Sequence, residues 1–179
     1  MAILSLAEAK VALDISVTDY DAELPDYIDA AQEAVDFLCG PSEAIAVTEV
    51  KRAAGAIPLN TTPVLSVTSV TGMWVGLVSS ALLWNDLDNG VINSRPLAAP
   101  LLDDVYTVVY QAGRASTPKS IKQGCRIILE HQWQLQRGTG TRGGSRLGED
   151  TTMIPGLGYA IPNRALQQMA RYLRGPAAG

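Results

Sequence analysis

The side chains best suited to chemistry are few in this 179-residue chain, and their spacing argues against each chemistry in turn. His131 is the single histidine, so neither a histidine-based metal cluster nor a Ser-His-Asp triad has the parts it needs. It falls near the apolar face of a predicted helix, which suits a core or boundary position. Cys39 and Cys125 also fall on predicted helix faces and read as buried thiols rather than a disulfide. Neither stands in a context that marks a nucleophile. Gly138-Thr139-Gly140-Thr141-Arg142-Gly143 satisfies GxGxxG, but it follows a helix where a dinucleotide-binding turn must follow a strand. No lysine with serine or threonine completes a phosphate loop there either. Asn85-Asp86-Leu87-Asp88-Asn89-Gly90 resembles a calcium loop until its register is set. With Gly90 sixth, the third position is Leu87 and the twelfth Pro96, neither of them a ligand. Asn89-Gly90 between apolar runs is instead a hairpin turn. These residues predict a protein with no catalytic centre, cofactor or metal.

Charge is the more informative property. The formal net charge is only −4, yet residues 1–50 carry eleven acids and one base, and residues 114–179 carry ten bases and three acids. Such a division is satisfied within one fold by helix packing, or between copies, the acidic face of one subunit steering onto the basic face of the next. Asp26, Asp29, Glu33 and Asp36 step by three, four and three along a helix that holds no Lys or Arg. Like charges at that spacing disfavour an isolated helix. The stripe is either a solvated face or a contact surface for a basic partner. Lys119, Lys122 and Arg126, opposite the apolar arc of a later helix, are the matching basic stripe on a neighbouring subunit. Trp133 falls by helical angle among Lys122 and Arg126. It is either covered by a loop or an interface anchor beside arginine.

The elements that carry these residues are legible from periodicity and caps. Ser5 and Glu8 form a capping box for a helix near residues 6–13. Thr18 or Asp19 caps a second helix, near 20–39, whose inward stripe is Leu24, Ile28, Ala31, Val35 and Leu38. Gly40-Pro41 ends it. From Ala44 to Tyr110 the pattern turns strand-like, with Pro58 and Pro63 punctuating the links. Val64–Thr71 is the clearest strand, Trp74–Val78 the next, and four or five short antiparallel strands are expected from Val64 through Tyr110. Thr117-Pro118 opens a helix near 118–136 with Ile121, Cys125, Ile128 and Leu135 in one arc. A glycine-rich stretch follows, and a last, basic helix near 162–174 bears Leu166, Met169, Ala170 and Leu173 on one face. The fold class is therefore α+β: a small helical bundle with an antiparallel β-insertion between its second and third helices and a flexible C-terminal arm. No apolar run approaches the length that spans a bilayer. MAILSLAEAK lacks a basic n-region and a long apolar core, so no signal peptide is expected.

Three stretches carry a family resemblance. VVYQAG, a short turn, a proline and a helix ending in an aromatic and an arginine resemble the head–tail connector (adaptor) proteins of long-tailed bacteriophages. LSLAEAKVALDI, an acidic gap and LPDYIDAAQEAVDFLCG are similar to that family's opening helix pair. The resemblance covers residues 3–40, 64–71 and 105–137, and the chain departs from shorter family members in its long middle and its glycine-rich tail. It implies an adaptor domain over 1–137, built from a helical core (1–40 and 113–137) and a β-insertion (44–112), followed by an arm over 138–179. It implies a structural virion protein of the head–tail junction, assembled in the host cytoplasm as a ring, a dodecamer in the relatives. The ring docks beneath the portal protein, extends the DNA channel and presents a platform to a tail-side stopper or tail terminator protein, with no membrane involved.

On that reading the arm is the portal-docking element, through Ile154, Leu157, Tyr159, Ile161, Arg164, Leu166, Met169, Arg171 and Leu173, unless it folds back onto its own core. Arg137, Arg142 and Arg146 would face double-stranded DNA in the lumen with weak, non-specific contact. The alternative is a basic-tailed nucleic-acid-binding protein or another phage assembly or tail-completion protein. Negative net charge, sparse aromatics and the absence of a known binding motif weigh against nucleic-acid binding.

Overall fold

The computed structural model describes residues 2–87, 89–95, 100–137, 151–153 and 160–174. The chain folds as two units, one formed by Gly40–Ser116 and the other by the flanking segments, up to Cys39 and from Thr117 onward. It is mixed α+β, with antiparallel sheets.

In the flanking unit, α1 spans Leu6–Leu13 and α2 spans Leu24–Cys39. The capping box forms as the sequence requires: the Ser5 hydroxyl accepts from the Glu8 amide, and the Glu8 carboxylate accepts from the Ser5 amide at 3.1 Å. Asp14 closes α1 in a left-handed conformation (φ 56°), and Gly40 follows α2 with φ 81°. The start of α2 differs from expectation. Residues 18–23 form turns rather than the first helical turn, with Leu24 and Glu23 amides both bonded to the Tyr20 carbonyl. Leu24, Ile28, Ala31 and Val35 are buried as their stripe predicts, joined by Tyr27 and Ala34.

The longest helix, α3, spans Lys119–Arg137, and α1, α2 and α4 (Asn163–Met169, continued as a 3-10 turn over Ala170–Tyr172) all pack on it. Its central position explains why Ile127 and Leu129 are buried as well as Ile121, Cys125 and Ile128. Each such side chain contributes about 1.5–3 kcal/mol on leaving water. Leu135, expected in the same inward arc, is 59% exposed. Two short strands, β8 (Thr151–Met153) and β9 (Ala160–Pro162), pair antiparallel, and β9 leads directly into α4.

The middle unit holds β1 (Ile45–Ala53), β2 (Ala56–Pro58), β3 (Val64–Gly72), β4 (Gly76–Leu77), β5 (Leu83–Asp86), β6 (Val91–Ser94) and β7 (Asp104–Ala112). One sheet runs β1-β7-β3-β4 and a second runs β2-β6-β5, all neighbours antiparallel. Placing β7 between β1 and β3 accounts for its β-branched and aromatic composition: Tyr106, Val108, Tyr110 and Ala112 are fully buried, and Val105, Thr107 and Val109 are half-buried. Five strands lie between Val64 and Tyr110, at the upper end of the expected number. The strand expected over Trp74–Val78 is a turn over Met73–Val75 with only Gly76–Leu77 paired, because Gly76 takes φ 71° and folds the chain back on β3. Asn89-Gly90 makes the expected hairpin between β5 and β6, with Gly90 at φ 66°.

Candidate functional site

The residues that the sequence nominated for subunit contact lie on α2 and α3. On α2, Asp26, Asp29 and Glu33 are exposed, while Asp36 is half-buried. Burial pushes the Cys125 thiol up to about 12, and the Asp36 charge adds to the effect. On α3, Lys119 is exposed, but Lys122 and Arg126 converge on α1. Lys122 Nζ lies 2.6 Å from Glu8 Oε1, and Arg126 Nη2 lies 3.7 Å from the same oxygen. The Lys122 hydrogen bond, followed by the Ser5 amide, draws the Glu8 carboxyl down to about 2. The basic stripe is thus partly neutralised within the chain by a carboxylate that the sequence marks only as a helix cap.

Trp133 is not an exposed anchor. Its ring sits between Tyr20 and Tyr27, with edge-on centroid separations of 5.3 and 5.2 Å, so the turn before α2 covers it. Beside this aromatic group α2 and α3 enclose an open groove of about 410 Å³, lined by Asp26, Tyr27, Ala30, Gln132, Leu135 and Gln136 among others. The Tyr27 hydroxyl donates to Gln136 Oε1 at 2.7 Å, fixing one wall. Gln132 Oε1 is buried and has no hydrogen-bond partner.

The C-terminal segment folds back rather than standing free. Ile161 and Met169 are fully buried in the same core as α3, and Leu166 packs against it, so these three are not presented to a partner. Met169 lies over Gly124, where a Cβ would meet its Cγ and Sδ at 2.5 Å. The Arg174 amide donates to the Leu38 carbonyl at 2.8 Å. Arg164 and Arg171 are exposed, and Leu173 is at the margin of exposure. Ile154, Leu157, Tyr159, Arg142, Arg146 and the Arg137 side chain lie outside the described residues.

Sequence reasoning missed the most exposed apolar group, the β3–β4 turn. Met73, Trp74 and Leu77 are 71%, 83% and 74% exposed. This turn is held from beneath. Asp104, itself buried, accepts from the Trp74 amide at 2.9 Å and the Val75 amide at 3.2 Å through Oδ2. Burial acts to raise the Asp104 carboxyl, but these bonds and that from the Val105 amide outweigh it and hold the group below the usual carboxylate range. Gly72 leaves room for the arrangement, since a Cβ there would stand 2.5 Å from Asp104 Oδ2. The available signal was the pair of glycines, Gly72 and Gly76, bracketing an apolar run too short for its own strand.

A comparable buffer ties β1 to β7. The Tyr110 hydroxyl donates to Glu49, which also accepts from the Asn60 and Thr61 amides, the former at 3.1 Å. Burial, then the hydrogen bond to Glu49, pushes Tyr110 up to about 12. These are structural contacts. Among the described residues no three His, Cys, Asp or Glu side chains are grouped to hold a metal ion, and no helix is long and apolar enough to cross a membrane.

Comparison with known proteins assigns the fold. Residues 2–164 match the family model described as "HCP: Head completion protein". No curated protein matches the chain in sequence. Among solved structures, the chain is similar to a protein in the neck of an empty GTA particle computed with C6 symmetry, with TM-score 0.62 and 19% identity over 99% of this chain and 92% of that one. It is equally similar to a protein in the virion of a native gene transfer agent (GTA) particle, with TM-score 0.63 and 18% identity over the same shares.

Proposed function

The chain belongs to the head completion protein family, and from that premise we propose that it is a structural virion protein, the head-to-tail adaptor of the neck. The observation that carries this reading is the family match across residues 2–164, supported by a shared fold with neck and virion proteins along 99% of the chain. The adaptor works by geometry rather than catalysis. Copies join in a ring beneath the portal protein, continue its DNA channel and offer the tail-side stopper or terminator a platform. A dodecamer, the number that the adaptor resemblance implies, is compatible with the sixfold symmetry applied to the similar neck.

The charge distribution supports assembly between copies. Asp26, Asp29 and Glu33 stand exposed on α2, while Lys119, Arg164 and Arg171 are exposed on α3 and around α4. Surfaces of opposite charge on one chain favour a head-to-tail contact between copies, which forms a ring where its rotation closes. Arg164, Arg171 and Leu173 remain the exposed part of the portal-docking set, with Ile154, Leu157 and Tyr159 as its apolar part. DNA in the lumen would meet Arg137, Arg142 and Arg146 through phosphate contacts that weaken with salt.

The test is particle size and shape, by electron microscopy and light scattering of the purified chain with and without a portal protein. A ring that binds portal is expected. A chain that stays monomeric in both conditions sinks the reading. Salt-sensitive retention on double-stranded DNA by the monomer, with no ring, would favour nucleic-acid binding instead.

A further inference from the structure

We propose that copies of this chain join through two helix faces. The outward face of α4 in one copy lies across the outward face of α2 in the next, with Arg164 and Arg171 opposite Asp26 and Glu33. The inference deepens the ring reading and rests on it.

Both faces belong to the unit formed by the flanking segments, and both keep their charge once that unit has folded. Its described ion pairs are Lys10–Asp21, Lys122–Glu8 and Arg126–Glu8. Among the described residues, Asp26, Asp29 and Glu33 take no part in an ion pair, nor do Arg164 and Arg171, and all five are exposed. Neither face mixes its signs. No Lys or Arg occurs within α2, and no Asp or Glu occurs from Thr151 to Gly179. Each face therefore repels its own kind and attracts the other.

Spacing selects the same pairing. Asp26 and Glu33 are seven residues apart, and so are Arg164 and Arg171. Seven residues of α-helix make nearly two turns, which puts both acids on one side, about 10.5 Å apart along the axis. α4 is α-helical to Met169 and continues as a 3-10 turn over Ala170–Tyr172. Its two arginines thus also share a side, roughly 11–12 Å apart. Midway between the arginines the exposed Gln168 carries amide donors, and midway between the acids stands Asp29.

Exposed ion pairs contribute little by themselves. The α2 face adds apolar area, because Phe37, one turn beyond Glu33, is 51% exposed, and the stems of arginine side chains lie well on such a surface. Since the two faces differ, the contact is heterologous and forms a ring where its rotation closes. Arg164 and Arg171 then face the neighbouring copy, and portal docking rests on the remainder of its set.

The experiment uses the full-length chain in two charge-reversed forms, Asp26→Arg with Glu33→Arg and Arg164→Glu with Arg171→Glu. All four side chains are exposed, and an unchanged circular-dichroism melt establishes that each form is folded. Where a reversal lowers the melt, Asp26→Asn with Glu33→Gln, or Arg164→Gln with Arg171→Gln, replaces it in measuring the loss of association. Each reversed form alone should lose roughly tenfold or more in self-association, read by sedimentation or light scattering, since like charges then face each other. Mixed in equal amounts, the two forms should recover particles of natural size, because every contact between unlike forms is again of opposite charge. Natural assembly of both forms alone overturns this contact and leaves the ring reading standing. Failure of the mixture of folded forms to recover overturns it as well. So does an Arg164→Glu, Arg171→Glu form that assembles normally but no longer binds a portal protein, which assigns the basic face to the portal. Absence of self-association in the unaltered chain, alone and with portal, overturns both readings.

Discussion

Glu8 shows how one residue serves two levels of structure. Its carboxylate caps α1 and also receives Lys122 and Arg126 from α3. Since Lys122 and the Ser5 amide pull its pKa down to about 2 from 4.5, the folded state favours the ionised form. That contribution to stability is complete above about pH 4.5 and is lost as pH falls toward 2. Glu8→Gln keeps a capping-box side chain but removes the charge. Thermal melts between pH 2 and 5 should therefore show a shallower pH dependence in the variant than in the natural chain, and equal slopes would dismiss the ion pair. The two thiols give a second residue-scale prediction. Cys125 is raised to about 12, chiefly by burial, so at pH 8 only ~10⁻⁴ of it is thiolate. Thiol reagents under non-reducing conditions should find two free thiols in the denatured chain and react far more slowly with the folded one. A denatured chain with no free thiol would contradict this.

At the scale of elements, the decisive contact is α4 on α3. Gly124 permits it, because any side chain there meets Met169. Gly124→Leu should lift α4 from its seat, detected as lowered Tm and new dye binding to apolar surface. Met169→Ala, which leaves the backbone path open, should cost about 2–5 kcal/mol in a denaturant titration. A chain ending at Arg137 should likewise lose stability, since Ile161, Ala165 and Met169 no longer cover α3. If truncation leaves stability unchanged, the docking of α4 is energetically idle. Much of the element structure was readable beforehand. The Ser5–Glu8 box, the Gly40 stop, the Thr117-Pro118 start and the alternation of β7 are all local signals, written within a few residues of where they act. The rest depends on partners distant in the sequence. Trp133 has the helical angle of a surface residue, and Tyr20 and Tyr27, from another helix and the turn before it, make it half-buried. Lys122 and Arg126 look unpaired until α1 arrives. The Met73–Val75 turn was hidden because apolar letters run through it without interruption, so periodicity continued the strand where backbone geometry reversed it.

For the whole molecule, the acid-to-base division along the chain predicts salt-dependent assembly. Asp29→Lys with Glu33→Lys should weaken ring formation or portal docking while the monomer stays folded, and raised ionic strength should weaken the natural ring in parallel. Unchanged assembly in the variant would return the α2 stripe to a solvated face. The division into units has a consequence of another kind, for the order of events during synthesis. Gly40–Ser116 is continuous and carries its own core, whereas the other unit is interrupted by it. On the ribosome, α1 and α2 therefore emerge with Tyr27, Ile28, Ala31 and Val35 uncovered, and the helix that covers them follows only after the 77 residues of Gly40–Ser116. At about 5–20 residues per second that interval is roughly 4–15 s, long enough for the sheet unit to fold before α3 reaches the helix pair.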